Sequence, residues 1–142
     1  MTYPRLCRAA WWAKQGKPYF ATNPDWVCPT DQAVVLVDCG AIYACIEAAT
    51  GRKPDKVFGK PQPEMLTEIL TANNLVPNQV AMVGDRIYTD MVMANVVDVF
   101  GILVLSGEST LDDAKNTNTH FDLALPSIEE LGELIVVAQQ PK

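Results

Sequence analysis

The sequence predicts an α/β fold built on a parallel sheet, and three observations lead there. From residue 57 onward, short apolar runs alternate with amphipathic stretches, strand then helix four times over. Crossover helices between parallel strands require that order. The run Val80-Ala81-Met82-Val83 stops at Gly84-Asp85, and the run 101–105 stops at Ser106-Gly107, so both read as buried strands leaving into tight turns. Of the 142 residues, 49% are hydrophobic, enough to build a real core.

Each element has its own warrant. Residues 4–15 read as a helix, with Pro4 in the first turn and Gly16 as the stop. Trp11 and Trp12 cannot face the same side, so one is expected on a core and the other against a neighbour or solvent. Residues 19–22 form a short strand, and Asn23-Pro24-Asp25 is turn chemistry. Residues 34–37 are either a strand or an apolar loop segment. Residues 40–50 read as a helix with Ile42, Cys45, Ile46 and Ala49 on one face and Gly51 at its end. Val57-Phe58 is a brief strand leading to Gly59-Lys60-Pro61. Residues 63–73 form an amphipathic helix with Met65, Leu66, Ile69 and Leu70 inward. Residues 80–83 are the strand already described, and Thr89 or Asp90 can cap a helix over 89–97. A strand over 101–105, a short helix over 111–115 and a strand over 121–125 follow, and Ser127 caps a last helix to about 137. The first third is more aromatic and less regular, which places a boundary near Gly59.

The net charge of −6 argues against a partner with a phosphate backbone, so no nucleic acid is expected. No apolar run reaches the length of a membrane span, so no membrane partner is expected. The first eight residues lack the order of a signal peptide, and the expected compartment is the cytoplasm. Cys7, Cys28, Cys39 and Cys45 have no Cys-x-x-Cys spacing, and the lone His120 is distant in sequence. The pattern is that of reduced, packing cysteines rather than of a zinc site.

Ligands of open α/β sheets bind at the carboxyl ends of the strands. Asp85 occupies that place after the run 80–83, where a cation or phosphate would be handled. A plain strand, turn and N-cap would be written with the same residues, and both readings stand at this point.

Five stretches occur in order: Ala21-Thr22-Asn23-Pro24-Asp25, Ile46-Glu47-Ala48-Ala49-Thr50-Gly51-Arg52-Lys53-Pro54, Gly59-Lys60-Pro61-Gln62-Pro63, Gly84-Asp85-Arg86 with Thr89-Asp90, and Leu103-Val104-Leu105-Ser106-Gly107. Together they resemble the haloacid dehalogenase (HAD) superfamily of phosphatases, in the branch of nitrophenylphosphatase-like and nucleotide or sugar monophosphatases. The resemblance covers roughly residues 17–131. It implies the C-terminal half of a Rossmann-like parallel sheet with helices on both faces (59–142), preceded by a partial α/β cap domain (1–58).

It also implies magnesium-dependent hydrolysis of a small phosphate monoester, a sugar phosphate or nucleotide. One Asp attacks the phosphate, and a second Asp two residues later is acid and base. A Ser or Thr and a Lys hold the phosphate, and magnesium bridges it to carboxylates. By position, Lys60 is the catalytic and phosphate-binding lysine, Asp85 the magnesium carboxylate, and Asp90 the second acid, which orients a metal-bound water or the lysine. Asn23 and Asp25 match a cap loop where substrate enters. Arg86 and Thr89 take supporting or structural roles.

The family's first motif, Asp-x-Asp-Gly, is absent from this sequence, as is the strand ending in Ser or Thr that precedes the cap. Val34-Val35-Leu36-Val37-Asp38-Cys39-Gly40 imitates a nucleophile strand, but Gly40 stands where the acid/base Asp belongs, and the segment falls on a cap loop entering a helix. Ala94 and Asp98 stand where the family usually has Gly, and Asp98 suggests a different turn before the strand at 101. One carboxylate in place of a full ligand set implies weak magnesium binding. A missing nucleophile implies no turnover by this chain alone. In the family the nucleophile's strand lies beside 80–83. Without it that strand becomes an open apolar edge, which implies a homo-oligomer or a missing N-terminal half. The alternatives are half of a split enzyme, a non-catalytic phosphate- or metal-binding module, and an oligomeric scaffold.

Overall fold

The computed structural model describes residues 1–140. The chain divides into two units, Met1–Gly59 and Lys60–Lys142. The first contains α1 (Tyr3–Lys14), β1 (Phe20–Ala21), β2 (Val27–Cys28), β3 (Leu36–Val37), α2 (Cys39–Thr50) and β4 (Lys56–Val57). β1 pairs with β4 in parallel, and β2 with β3 antiparallel. The strand at 57, read from the sequence as the first of the long alternation, therefore belongs to this unit. Arg52 ties the unit together: its guanidinium donates to Ala13 O and Asp55 Oδ1, each at 3.2 Å, and its carbonyl accepts the Tyr19 hydroxyl at 2.8 Å.

Two expectations about the first unit need correction. Trp11 and Trp12 are both exposed, and Ala13 is the buried residue of α1. The two indoles pack edge-on against each other at 4.4 Å, so neither covers a core. On α2, Ile46 is buried, but Cys45 and Ala49 are exposed. They line, with Tyr3, Leu6, Cys7 and Ala10, an open hollow of about 250 Å³. Gly40 is obligatory for another reason: a Cβ there would collide with the carbonyls of Pro24 and Asp25.

The second unit contains α3 (Glu64–Asn73), β5 (Ala81–Gly84), a π-turn (Ile87–Met91) running into α4 (Val92–Val97), β6 (Phe100–Val104), α5 (Leu111–Asn116), β7 (Leu123–Leu125) and α6 (Ile128–Ala138). Its sheet is parallel throughout, in the order β5-β6-β7, with Val83 opposite Ile102 and Leu103 opposite Ala124. This is the α/β architecture expected from the alternation.

Met82, Gly84, Gly101 and Leu103 share one face by register. A Cβ on Gly101 would stand 3.4 Å from Met91 Sδ and 3.5 Å from Ala94 Cβ, so the π-turn and α4 lie against that face. Leu66 and Leu70 of α3 join Met93, Ala94, Val97 and Val99 in its core. Ile102 and Val104, on the opposite face, are buried as well. Burial of β6 on both sides explains its unbroken apolar run.

Of the four α3 residues expected inward, Leu66 and Leu70 are buried, whereas Met65 and Ile69 are exposed. The helix presents one i, i+4 ridge to this core and leaves the adjacent ridge outside. Asp98 adopts the left-handed conformation (φ 62°) as the C-cap of α4. An Asp tolerates that conformation less readily than a glycine, but the turn is one glycine also makes. α5 begins with a capping box between Thr110 and Asp113, and Ser127 caps α6 through the Glu129 N–H at 3.0 Å.

Candidate functional site

Parallel pairing brings the carboxyl ends of β5 and β6 to the same edge of the sheet, and the segments after them interlock. Asp85 follows β5. Its carbonyl accepts the Ser109 N–H at 3.0 Å, and its Oδ2 accepts the Glu108 N–H at 2.8 Å. Ser109 Oγ in turn accepts the Ile87 N–H at 3.2 Å. Gly107 passes so close that a Cβ there would collide with the Asp85 carboxylate. A backbone amide thus takes one carboxylate oxygen of the half-buried Asp85.

Asp90 lies inside the π-turn and is fully buried. Its Oδ2 accepts the Arg86 N–H at 3.1 Å, and the Lys60 ammonium stands 2.6 Å from its Oδ1 as an ion pair, without hydrogen-bond geometry. Gly84 makes room for it, because a Cβ at Gly84 would strike the Asp90 side chain. A buried carboxylate needs such partners to remain ionised. The Lys60 side chain is 39% exposed. Its ammonium has three donors, so it can meet an incoming anion while it stays paired with Asp90.

Thr89 and Asp90 were both possible caps. Thr89 Oγ1 is buried without a hydrogen-bond partner among the described residues, so it does not cap. Asp90 reaches back to Arg86 from within a wide turn rather than opening a regular helix.

Lys60, Asp85 and Asp90 all stand in the second unit, and Lys60 and Asp90 are in direct contact. Asn23 and Asp25 stand in the first unit, where Asn23 Oδ1 accepts the Asp25 N–H at 3.0 Å in an Asx turn. Asp38, the imitation nucleophile, caps α2 through the Cys39 N–H at 2.6 Å. Next to it, burial pushes the Cys39 thiol up, but hydrogen bonds from the Asn23 backbone and from Thr22 outweigh this and leave it below the ordinary thiol value.

Among the described residues, no three His, Cys, Asp or Glu side chains converge on one point. Asp85 fits a divalent cation as a single anionic ligand, one corner of the six-oxygen shell magnesium takes. A hollow of about 400 Å³ nearby is lined by Ile87, Tyr88, Glu108, Asp113, Asn116 and Thr117, among others. Two carboxylates and no Lys or Arg line it, so it offers phosphate no positive charge.

Sequence reasoning missed Glu108 and Gly107 as parts of this site. Gly107 had a signal, the Ser-Gly ending of an apolar run. Glu108 had none, because its contact to Asp85 is made by its backbone N–H.

Residues 57–131 match the HAD-hydrolase-like family. The acid sugar phosphatase of Staphylococcus aureus (strain USA300) is 35% identical over 118 residues, covering 83% of this chain and 45% of that protein. The crystal structure of 4-nitrophenylphosphatase from Thermotoga maritima superposes with a TM-score of 0.85 at 40% identity, covering 94% of this chain and 51% of the other. Glycerol phosphate phosphatase from Mycobacterium tuberculosis, solved in complex with magnesium, gives 0.80 at 29% identity, covering 99% and 43%. The chain thus spans about half the length of the relatives it matches. No described helix is long and apolar enough to cross a membrane. With a matching family profile over more than half its residues and the same fold in solved phosphatases, this chain belongs to the HAD-hydrolase-like family.

Proposed function

We propose that this chain carries the phosphate-facing lysine and the magnesium carboxylate of a hydrolase for small phosphate monoesters, a sugar phosphate or nucleotide. The observation that carries the reading is the Lys60–Asp90 pair at 2.6 Å beside Asp85, at the carboxyl edge of a parallel sheet. Buried Asp90 fixes the ammonium, and the exposed part of Lys60 meets the phosphate oxygens. Asp85 offers Oδ1 to magnesium, which when bound would neutralise phosphate charge. In this reading the first unit is a partial cap, with Asn23 and Asp25 at its substrate-facing turn.

The sequence contains no Asp-x-Asp, so the nucleophile and the acid/base residue come from outside it. The phosphatase names of the relatives support the substrate class, and the half-length match supports an incomplete site. The chain alone binds magnesium weakly and does not turn over. Complete activity needs a complementary N-terminal half, joined or separate.

A screen of small phosphate esters with magnesium tests this, using protein whose intact mass matches 142 residues. We expect no phosphate release above the protein-free blank. Release that disappears in Asp38→Asn would place a nucleophile within this chain and overturn the reading.

A further inference from the structure

We propose that Glu108 is a positioning residue for Asp85, with its side chain holding in place the backbone amide that orients the Asp85 carboxylate. The proposal rests on the reading of Asp85 as the cation-facing group. Glu108 lies between β6 and α5, and both of its carboxylate oxygens are engaged. Arg86 Nε stands 2.6 Å from Oε2, and the Tyr88 hydroxyl donates to Oε1 at 2.5 Å. Both partners come from the segment just after Asp85. The Arg86 side chain is 15% exposed, so the guanidinium is a largely fixed anchor, and charge-assisted bonds to it are the stronger kind.

The contacts close a ring. The chain runs from Asp85 to Arg86, the Arg86 side chain grips the Glu108 carboxylate, and the Glu108 N–H returns to Asp85 Oδ2 at 2.8 Å. The Ser109 N–H on the Asp85 carbonyl, at 3.0 Å, closes the two segments a second time. With Oδ2 held by an amide, the direction of Oδ1 is set. Glu108 also offsets the positive charge of Arg86 next to Asp85, which would otherwise repel an arriving divalent cation.

Amide hydrogen exchange at positions 108 and 109 of the metal-free chain tests the positioning role, with the buried Leu103 amide of β6 as the reference for global stability. In Glu108→Ala, exchange at 108 and 109 should quicken about tenfold relative to Leu103, after correction for intrinsic rates. Tyr88→Phe removes one hydroxyl from an exposed ring and should give a smaller change of the same sign, which keeps the test valid if Glu108→Ala unfolds. Unchanged relative protection in Tyr88→Phe and in any folded Glu108→Ala would overturn the proposal.

A manganese titration of the same samples separates the proposal from the reading it rests on. Paramagnetic broadening near Asp85 should be present in the wild-type chain and need about threefold more manganese in Glu108→Ala. Lost protection with no broadening in any sample would uphold the latch and remove the cation reading. Equal manganese response despite lost protection would show that the latch does not serve the carboxylate, and would overturn the proposal.

Discussion

Asp90 holds three parts of the second unit with one carboxylate. It takes the Arg86 N–H, pairs with Lys60, and fills the space that Gly84 leaves open. Asp90→Ala would take this acceptor from the part-buried Arg86 N–H and release the lysine. We expect a loss of about 2–3 kcal/mol, less than for a fully buried pair because Lys60 is part-exposed. Urea unfolding followed by circular dichroism measures it, and a change within about 0.5 kcal/mol would show that the pair is incidental. At this scale the sequence was legible for charge and illegible for geometry. Asp85 and Asp90 stood out from an apolar run ending in Gly-Asp. Asp90 sits in a π-turn, one residue wider than a regular helical turn, whose Ile87 and Met91 are clustered with Leu103, a tertiary contact that no local pattern encodes.

At the scale of elements, period and caps carried the reading. β5, β6, α5 and α6 lie within a residue or two of their expected places because their signals are local, such as an apolar run closed by glycine or Ser127 as a cap; the structure adds the capping box of Thr110 and Asp113 that opens α5. The sequence pattern does not predict β2, and 34–37 reads equally as strand or loop. Strands of two residues have too little period to read, and they exist because each supplies the other's hydrogen bonds. The inner face of α3 was overestimated for a similar reason, since the apolar pattern marks two ridges and only tertiary contact decides which is covered. Leu66→Ala should therefore cost about 2–4 kcal/mol and Met65→Ala less than about 1 kcal/mol. Equal losses from both in chemical denaturation would mean that Met65 is covered in solution.

For the whole molecule, the half-length match and the surface belong together. Leu134, Ile135, Val136 and Val137 of α6 are exposed, and among the described residues β5 pairs with a neighbour on one side only. Exposed apolar helices and open strand edges invite association. We expect self-association at micromolar concentration by light scattering, reduced when Val83→Lys places a charge on the edge strand. A monodisperse monomer across that range would contradict it. The absence of an Asp-x-Asp motif is visible in the sequence, whereas the exposure of α6 became visible only with the structure.

The most direct measurement is a titration of the chain with inorganic phosphate in the presence of magnesium, following the Lys60 ε-methylene signals by NMR. A phosphate-facing lysine predicts saturable shifts centred on Lys60, with affinity on the order of millimolar. Signals that stay still at Lys60 while phosphate shifts other lysines would contradict the assignment and leave the Lys60–Asp90 pair a purely structural one.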